Sequence, residues 1–347
     1  MQRVTIIGLG LIGGSIGLGL RRWAEANRVD GKPALEITGF DSDITQQQYA
    51  QKIKAVDRTA WDLGKAVTDA DLVIIATPVS AMRETLMAIA PKLQACTTVT
   101  DTGSTKAQVL RWADEILPAD VAFIGGHPMA GKTQSIEGAE AELFKGATWC
   151  LAPSVRAGEE AVRTVLGLVA ALDAEPFFVD PTEHDAFVAG VSHLPFVLSA
   201  ALMRTVSTDP SWRDMKGLTA GGFRDVSRLA AGSPAMHRDI LITNREAVTR
   251  WIDATISTLH GLRTDLQSEP EVAEVALTTF FTQARDARAE WATRTSREGE
   301  LIQGTAAELT PDNLSDQMGR MLLGGFARRR RPGTDARPTR AKPQDPQ

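Results

Sequence analysis

The sequence has few cysteines, no excess of basic residues and no long apolar run. Its two cysteines in 347 residues, Cys96 and Cys150, are too few for a disulfide framework and lack metal-ligand spacing. We expect reduced thiols packed in the core of a cytoplasmic protein without a metal site. A formal net charge of −5 argues against a nucleic-acid partner, because phosphates require a basic surface. No segment reads as long and apolar enough to span a membrane.

The chain does contain enough apolar residues, 43%, to bury a large core. Up to about residue 180, short β-rich runs alternate with amphipathic stretches such as Ser80–Leu93 and Thr105–Leu117. This alternation is typical of an α/β fold with a doubly wound, Rossmann-type sheet. The β-rich runs read RVTIIG, LEITGF, DLVIIAT, TTVTD, VAFIGG, TWCLAP and EPFFVD.

The β signal fades after Asp180, and long stretches rich in Ala, Leu and Val follow it. We therefore predict a dinucleotide-binding domain over residues 1–180 and an all-helical substrate and dimerisation domain over residues 181–325. Residues 326–347 are rich in Pro and Arg with almost nothing apolar to bury, which predicts a disordered basic tail. The helical stretches are residues 182–206, 233–266 and 271–294.

A glycine fingerprint, GLGLIG, stands between the first β-rich run and a helical stretch. Gly8 permits a tight turn, Gly10 lets the backbone approach a pyrophosphate, and Gly13 allows close packing of helix on strand. Leu11 and Ile12 open the helix, whose N-terminus favours phosphate groups. The position between a strand and a helix predicts dinucleotide binding, although glycine-rich turns also occur for packing alone.

An acidic residue, Asp41, ends the second β-rich run. Its carboxylate would accept hydrogen bonds from ribose hydroxyls and repel a 2′-phosphate, which favours NAD over NADP. Asp43 could share this role, and the alternative is that Asp41 only begins a turn. The segment ATPV, with Thr77 and Pro78, follows another strand and is predicted to border the cofactor.

The segment GGHPMAG sets His127 just past the predicted carboxyl end of a strand. Open α/β sheets bind ligands at that edge. Pro128 fixes its own φ and restricts the preceding backbone, so the imidazole should be held by a stiff turn. We expect His127 to face the cleft and to exchange protons near neutral pH.

Three further clusters could meet His127 in space. Ser104, in DTGSTK, follows a strand and could hydrogen bond to an imidazole or a substrate hydroxyl, or simply cap a helix. Ser192 and His193, in VSHLPF, lie in a helix that Pro195 could kink, although a lone histidine is more often structural.

The third cluster, GGFRDVSRLA, places Arg224, Asp225 and Arg228 near a helix start that follows two glycines. A guanidinium fork suits a carboxylate ligand. Surface ion pairing is the usual alternative for arginines in a helix.

The segments GLGLIGGS, DTGSTK, GGHPMAG, SHLP and GGFRDVSRLA occur together and in order, and this chain thereby resembles the prephenate and arogenate dehydrogenases of tyrosine biosynthesis. The resemblance covers residue 4 to about residue 240. It implies NAD-dependent oxidative decarboxylation of a cyclohexadienyl substrate, with hydride passing from the ring carbon that bears the hydroxyl to the nicotinamide. No metal is implied.

The resemblance also implies roles for single residues. His127 would accept the hydroxyl proton, and Ser104 would orient both His127 and the hydroxyl. Arg228 would hold the ring carboxylate, and Asp225 would position Arg228. The substrate-binding set is Arg228, Asp225, Ser192, His193 and Lys132.

Three departures from the family pattern bear on the substrate. Phe196 stands where many prephenate-using members have a second histidine, and His237 stands where a tryptophan is common. Lys132 follows GGHPMAG where an acidic residue is often found. This change removes a partner for the amino group of arogenate and offers a cation to the side-chain carboxylate of prephenate, unless the lysine is only solvated. We therefore favour prephenate over arogenate.

Two other functions stay open at this stage. Dehydrogenases of the β-hydroxyacid type use a lysine in the helix after the sheet domain, where this chain has Ser192 and His193. A non-catalytic dinucleotide sensor would need Asp41 but not His127. The apolar content of the late helices predicts a homodimer through the second domain, with a monomeric bundle as the alternative.

Overall fold

Eight strands form one sheet in the N-terminal half of the chain. The computed structural model describes residues 2–132 and 134–306. The sequence predicts every strand except the third, whose two residues carry no apolar pattern. The strands are β1 Gln2–Ile7, β2 Leu35–Phe40, β3 Arg58–Thr59, β4 Leu72–Ile75, β5 Thr98–Asp101, β6 Ala122–Pro128, β7 Thr148–Pro153 and β8 Glu175–Phe178. Their order is β3-β2-β1-β4-β5-β6-β7-β8, and all neighbours are parallel except β6 and β7.

Helices cover both faces of this sheet, which explains why β1 and β4 read as continuous apolar runs rather than alternating ones. Ile6, Val73 and Ile74 are fully buried. The predicted helical stretches in this region are confirmed with shifted ends, as α4 and α5. The helices are α1 Leu11–Ala26, α2 Ile44–Lys52, α3 Leu63–Val67, α4 Val79–Ile89, α5 Ala107–Ile116 and α6 Glu159–Ala171.

The chain order reverses at β1, which pairs with β2 on one side and with β4 on the other. A reversal of this kind opens a crevice at the carboxyl ends of the strands, where doubly wound folds bind ligands. Ile7 pairs with Ile75, and Ile75 pairs with Asp101, so three strands end at the same level. The loops that follow these strands therefore meet at one edge of the sheet.

After β8, the described residues are helical up to residue 306. A π-helical turn, Ala189–His193, joins α7 to α8 without a break. The all-helical prediction is confirmed for this part, whereas residues 307–325 and the predicted tail lie outside the described residues. The helices are α7 Pro181–Val188, α8 Leu194–Ser207, α9 Trp212–Met215, α10 Gly221–Ser227, α11 Pro234–Thr243, α12 Arg245–Leu266 and α13 Pro270–Ala306.

The continuous helical run Pro181–Ser207 is long and apolar enough to cross a membrane by length and composition, with 27 residues and a mean hydropathy of 1.8 in its most apolar window. The expectation that no segment passes this test is therefore wrong. The run also carries four buried polar side chains, His184, Asp185, His193 and Ser199. The backbone at the start of α5 donates two hydrogen bonds to Asp185, which ties the run to the sheet region.

Helix α11 contacts two of the loops at the carboxyl edge of the sheet. Ser80, in the first turn of α4, donates a hydrogen bond to the buried carboxylate of Asp239. The hydroxyls of Thr105 and Thr243 lie 3.0 Å apart. The described residues fall within one compact unit. A domain boundary near residue 180 therefore stays a prediction.

The two cysteines differ in their surroundings. Cys150 is buried in β7, and burial raises the pKa of its thiol to about 11. Cys96 is exposed, so the expectation that both thiols pack in the core is wrong for this residue. Within the part of the chain that the structure describes, no group of three or more His, Cys, Asp or Glu residues has metal-binding geometry.

Candidate active site

The glycine fingerprint forms the turn between β1 and α1, and each glycine meets a different environment. Gly8 has a φ of +93°, and a Cβ there would lie 2.6 Å from the carbonyl oxygen of Ala76. A Cβ on Gly13 would lie 1.9 Å from the carbonyl oxygen of Gly8. By contrast, a Cβ on Gly10 would meet nothing within 4 Å. The turn requires the glycine at residue 8, and the packing of α1 requires the one at residue 13. Gly10 is required by neither and leaves open space beside the backbone.

The first turn of α1 faces that open space. Gly10 is the N-cap residue and provides no side-chain cap, and the first turn contains no acidic residue. The backbone N–H groups of Leu11 and Ile12 are therefore available to an anion. The hydroxyl oxygen of Thr77 is buried and has no hydrogen-bond partner among the described residues, and Pro78 follows it as the N-cap of α4. These features fit a bound dinucleotide.

The carboxylate of Asp41 joins the end of β2 to the glycine turn. One oxygen accepts a hydrogen bond from the backbone N–H of Leu9 at 2.7 Å, and the other accepts one from the backbone N–H of Asp43 at 2.8 Å. Each carboxylate oxygen can accept a further hydrogen bond. Asp43 caps α2 by accepting from the N–H of Thr45 at 2.8 Å. Asp41 is thus the carboxylate that borders the fingerprint, and Asp43 has a structural role.

His127 lies within β6 rather than beyond its end, which corrects the sequence-based expectation. It pairs with Cys150, and Pro128 pairs with Trp149 on the antiparallel strand β7. The sheet itself therefore holds the imidazole, and the side chain is buried. The paired glycines before it make room for β5 and α5: a Cβ on Gly126 would lie 2.4 Å from the carbonyl oxygen of Asp101.

A hydrogen-bonded chain from the helical region holds the ring of His127. His127 Nδ1 lies 2.9 Å from His184 Nε2, and His184 Nδ1 lies 2.8 Å from Asp185 Oδ1. A carboxylate only accepts, so His184 carries its proton on Nδ1 and presents a bare Nε2 when neutral. His127 then donates from Nδ1. Its own Nε2 is the nitrogen left with a free lone pair.

Asp185 is held in place by the helix that follows the DTGSTK loop. Its two carboxylate oxygens accept hydrogen bonds from the backbone N–H groups of Lys106, at 2.7 Å, and Ala107, at 3.0 Å. This contact satisfies donors at the N-terminus of α5. His184 and Asp185 were not predicted from the sequence, because the segment EHD near a helix start reads as an ordinary acidic first turn.

The pKa of His127 is well below its usual value of 6.5. Burial is the main cause, and repulsion from His184 when it is protonated, from Lys106 and from protonated His193 lowers the pKa further. His127 is therefore neutral at pH 7, with Nε2 able to accept a proton. This differs from the expectation of an imidazole that titrates near neutrality.

A fully buried ion pair lies beside His127. The ammonium of Lys106 contacts the carboxylate of Asp101. The same carboxylate accepts from the N–H groups of Gly103, at 2.7 Å, and Gly126, at 3.0 Å. These bonds tie the DTGSTK loop to the GGHPMAG strand. Ser104 is half-buried in that loop, and the described structure contains no hydrogen bond between it and His127.

The other predicted substrate residues are spread over the helical region and an outer loop. His193 is buried in the π turn, and burial lowers its pKa to about 4. Ser192 beside it is half-buried. Arg228 and Asp225 are exposed, and no described ion pair joins them. Lys132 is exposed and pairs with Glu140 at 2.8 Å.

Two of the three positions that depart from the family pattern contact each other. The rings of Phe196 and His237 stack with centroids 4.1 Å apart and an interplanar angle of 2°. The centroid of Phe196 is also 5.9 Å from that of His193. The departures at residues 196 and 237 therefore form one aromatic pair next to a predicted substrate residue.

A largely parallel sheet with a glycine turn at its switch point, an open helix N-terminus and a buried histidine at the same edge defines a dinucleotide-binding oxidoreductase. Family models for the nucleotide-binding domain and the dimerization domain of prephenate dehydrogenase match residues 24–176 and 180–280. A prephenate dehydrogenase of Bacillus subtilis is 35% identical over 288 residues, which cover 82% of this chain and 75% of that protein. The chain belongs to the prephenate dehydrogenase family.

Solved structures agree with this assignment. A prephenate dehydrogenase from A. aeolicus, in complex with hydroxyphenyl propionate and NAD+, has a TM-score of 0.75 and 28% identity, and the match covers 84% of this chain and 98% of that one. A Synechocystis arogenate dehydrogenase has a TM-score of 0.66 and 28% identity, with 82% and 99% covered. The resemblance drawn from the motifs and the predicted fold class are confirmed.

Proposed function

We propose that this chain is an NAD-dependent prephenate dehydrogenase, which converts prephenate to 4-hydroxyphenylpyruvate and carbon dioxide in tyrosine biosynthesis. The observation that carries the proposal is the geometry of His127, a buried neutral imidazole with Nδ1 bonded to His184 and Nε2 free. A reaction that removes a hydroxyl proton while hydride leaves the same carbon needs such an acceptor. The names of the relatives supply the substrate class.

The mechanism assigns one proton to the chain's own residues. His127 Nε2 accepts the proton of the ring hydroxyl as the ring carbon that bears this hydroxyl loses hydride. Bound NAD supplies the hydride acceptor. The bond to the ring carboxylate then breaks and carbon dioxide leaves. The electron pair of that bond completes the aromatic ring, and the carbonyl electrons move onto the oxygen, which takes the proton back from His127 Nε2 to give the phenol. The charge gained by His127 is balanced by a shift of its Nδ1 proton towards His184, which the carboxylate of Asp185 stabilises.

The remaining substrate contacts are proposals of the same kind. Ser104 would hydrogen bond to the ring hydroxyl, and Arg228 would bind the ring carboxylate with Asp225 as its positioning partner. The turn that contains Arg228 is anchored to α8, because the N–H of Ala230 donates to Ser199 Oγ at 2.9 Å. Lys132 would exchange Glu140 for the side-chain carboxylate of prephenate, and Ser192 would line the same site.

NAD rather than NADP is the proposed cofactor. The carboxylate of Asp41 stands beside the glycine turn, where it would repel a 2′-phosphate. Arg58, on the neighbouring strand β3, is already paired with Glu36 at 2.9 Å and donates to Thr38. Arg58 is therefore already engaged and does not offer its guanidinium to a 2′-phosphate.

A cytoplasmic homodimer is the proposed form of the enzyme, with no membrane or nucleic-acid partner. Helices α12 and α13 expose large apolar residues, of which Ile256 is 59% exposed and Phe281 62% exposed. A patch of this kind favours a protein interface. The dimerization-domain model covers residues 180–280, which supports burial of these helices against a second copy.

The decisive experiment measures cofactor reduction with prephenate and with arogenate, each with NAD and with NADP. Fastest turnover with prephenate and NAD is expected. Preference for arogenate would identify the alternative substrate and would remove the argument from Lys132. Absence of turnover with both substrates would refute the proposed function.

His127→Asn separates an enzyme from a dinucleotide sensor. Loss of turnover with unchanged NAD affinity is expected, because asparagine cannot accept the proton and the cofactor turn is untouched. Titration of NAD by intrinsic fluorescence measures the affinity. Unchanged turnover in this variant would exclude His127 as the base.

A further inference from the structure

One ring nitrogen of His193 is buried without a partner. His193 lies in the π turn between α7 and α8 and is fully buried, and its Nε2 has no hydrogen-bond partner among the residues that the structure describes. A buried polar atom without a partner is destabilising and uncommon, so it requires an explanation. Single π turns within helices are frequent at functional sites.

The other ring nitrogen of His193 reveals which tautomer is present. Asn244 Nδ2 lies 2.7 Å from the backbone carbonyl of Asp185 and 3.2 Å from His193 Nδ1. The carbonyl can only accept, so the group that faces it is the amide nitrogen, and that nitrogen has two protons to donate. His193 Nδ1 therefore accepts and carries no proton. The neutral ring holds its proton on Nε2, which is the atom without a partner.

The unpaired donor belongs to the same site as the base. Asp185 contributes its carbonyl to Asn244 and its carboxylate to His184, so one residue organises both histidines. The two rings thus offer opposite polarities to one site: His127 Nε2 accepts, and His193 Nε2 donates.

We propose that Asn244 is a positioning residue of the substrate site, which fixes His193 in the tautomer whose Nε2–H donates a hydrogen bond to an oxygen of the substrate. The inference rests on the proposed function, because it requires an oxygen-rich substrate beside His127. The acceptor is a carboxylate or hydroxyl oxygen. Asn244 itself touches no substrate and acts through the ring of His193.

The first test reads the tautomer and does not depend on activity. The ¹⁵N shifts of the imidazole nitrogens distinguish Nε2–H from Nδ1–H, and the chain has only five histidines, with His193→Gln providing the assignment. Nε2–H is expected for His193 in the wild-type enzyme at pH 7. Nδ1–H would overturn the proposal whether or not the enzyme uses prephenate. If the expected tautomer is found and no substrate turns over, the proposed function alone has failed.

The second test replaces the donor that faces His193 Nδ1 with an acceptor. The variant is Asn244→Asp, whose side chain is close to isosteric and offers only acceptors to that nitrogen. We expect KM for prephenate to rise by about tenfold or more, with unchanged affinity for NAD and a ¹⁵N spectrum that reports Nδ1–H. His193→Gln, which keeps a side-chain N–H donor, should retain more affinity for substrate than His193→Phe. Circular dichroism checks that each variant folds. Equal KM values in Asn244→Asp and wild type, or equal losses in the two His193 variants, would overturn the proposal.

Inhibition by the product separates the two kinds of acceptor. The product keeps the hydroxyl and the side-chain carboxylate but lacks the ring carboxylate. Weaker binding of both prephenate and product in Asn244→Asp would place the donor on a retained oxygen. Weaker binding of prephenate alone would place it on the ring carboxylate.

Discussion

The three glycines of the cofactor turn illustrate how neighbours decide what one residue contributes. Gly13 packs against the backbone of Gly8, whereas Gly10 faces open space. The fingerprint therefore combines one position that the fold requires with another that only a ligand requires. Substitution at the two positions should have separate effects on stability and on cofactor binding.

Gly10→Ala is expected to fold with a change in unfolding free energy under about 1 kcal/mol and to weaken NAD binding by about tenfold or more, because the new methyl group occupies the space next to the open helix N-terminus. Gly13→Ala, the matched control, should lose about 1–3 kcal/mol of stability, because its Cβ would overlap a backbone oxygen. Urea unfolding and NAD titration measure the two effects. Equal stability losses in both variants would contradict this division.

His184 is predicted to do more than orient His127. His184→Phe removes the acceptor for His127 Nδ1–H and should lower kcat by about 100-fold or more. His184→Gln restores a hydrogen-bond acceptor but not a group that can take a proton, so a smaller loss of kcat is expected. Affinity for NAD should be unchanged in both. If kcat of His184→Gln equals that of the wild type at every pH, His184 orients His127 but carries no proton.

At the scale of elements, the parts of the fold that a short stretch of sequence determines could be predicted from the sequence. The strands and the cofactor turn are encoded in contiguous apolar runs and in glycines at fixed offsets. The two-residue β3 and the π turn have no such pattern. His127 could be predicted because it follows an apolar run, but its contact with His184 spans 57 positions and that of Asn244 with Asp185 spans 59. Contacts over such separations depend on how the helices pack on the sheet, which periodicity does not encode.

Helix α11 is predicted to couple the helical region to the cofactor loop through Asp239. Asp239→Ala removes the acceptor for Ser80 at the start of α4 and should cost about 1–3 kcal/mol of stability, because a buried hydrogen bond is lost. KM for NAD should rise, since Ser80 lies two residues from Pro78. Asp253→Ala, at an exposed position of α12, is the control and should change neither quantity. In a double-mutant cycle, a coupling energy near zero between Ser80→Ala and Asp239→Ala would argue against a direct contact.

For the whole molecule, buried neutral histidines make stability depend on pH. Burial lowers the pKa of His193 to about 4 and that of His127 well below 6.5. The unfolded chain binds more protons than the folded one below pH 6.5, so stability is full above 6.5 and falls as the pH is lowered towards 4. For His193 alone this loss is about 3 kcal/mol.

Urea unfolding from pH 7.5 to pH 4.5 measures this dependence. His193→Gln should flatten the curve, because it removes one titrating group. His260→Gln, at an exposed position of α12, is the control and should follow the wild type. A wild-type curve that is parallel to that of His193→Gln would show that His193 does not contribute.

In the proposed mechanism, the proton acceptor His127 depends on two separate parts of the chain. The cofactor turn and His127 belong to the sheet, but the acceptor for His127 Nδ1–H comes from the helical run that begins at Pro181. We therefore expect a chain whose helices are cleaved or misplaced to lose turnover, because His127 then lacks the acceptor for its Nδ1 proton. Damage confined to the helical region should thus stop oxidation of the substrate even where the glycine turn of the cofactor site is intact.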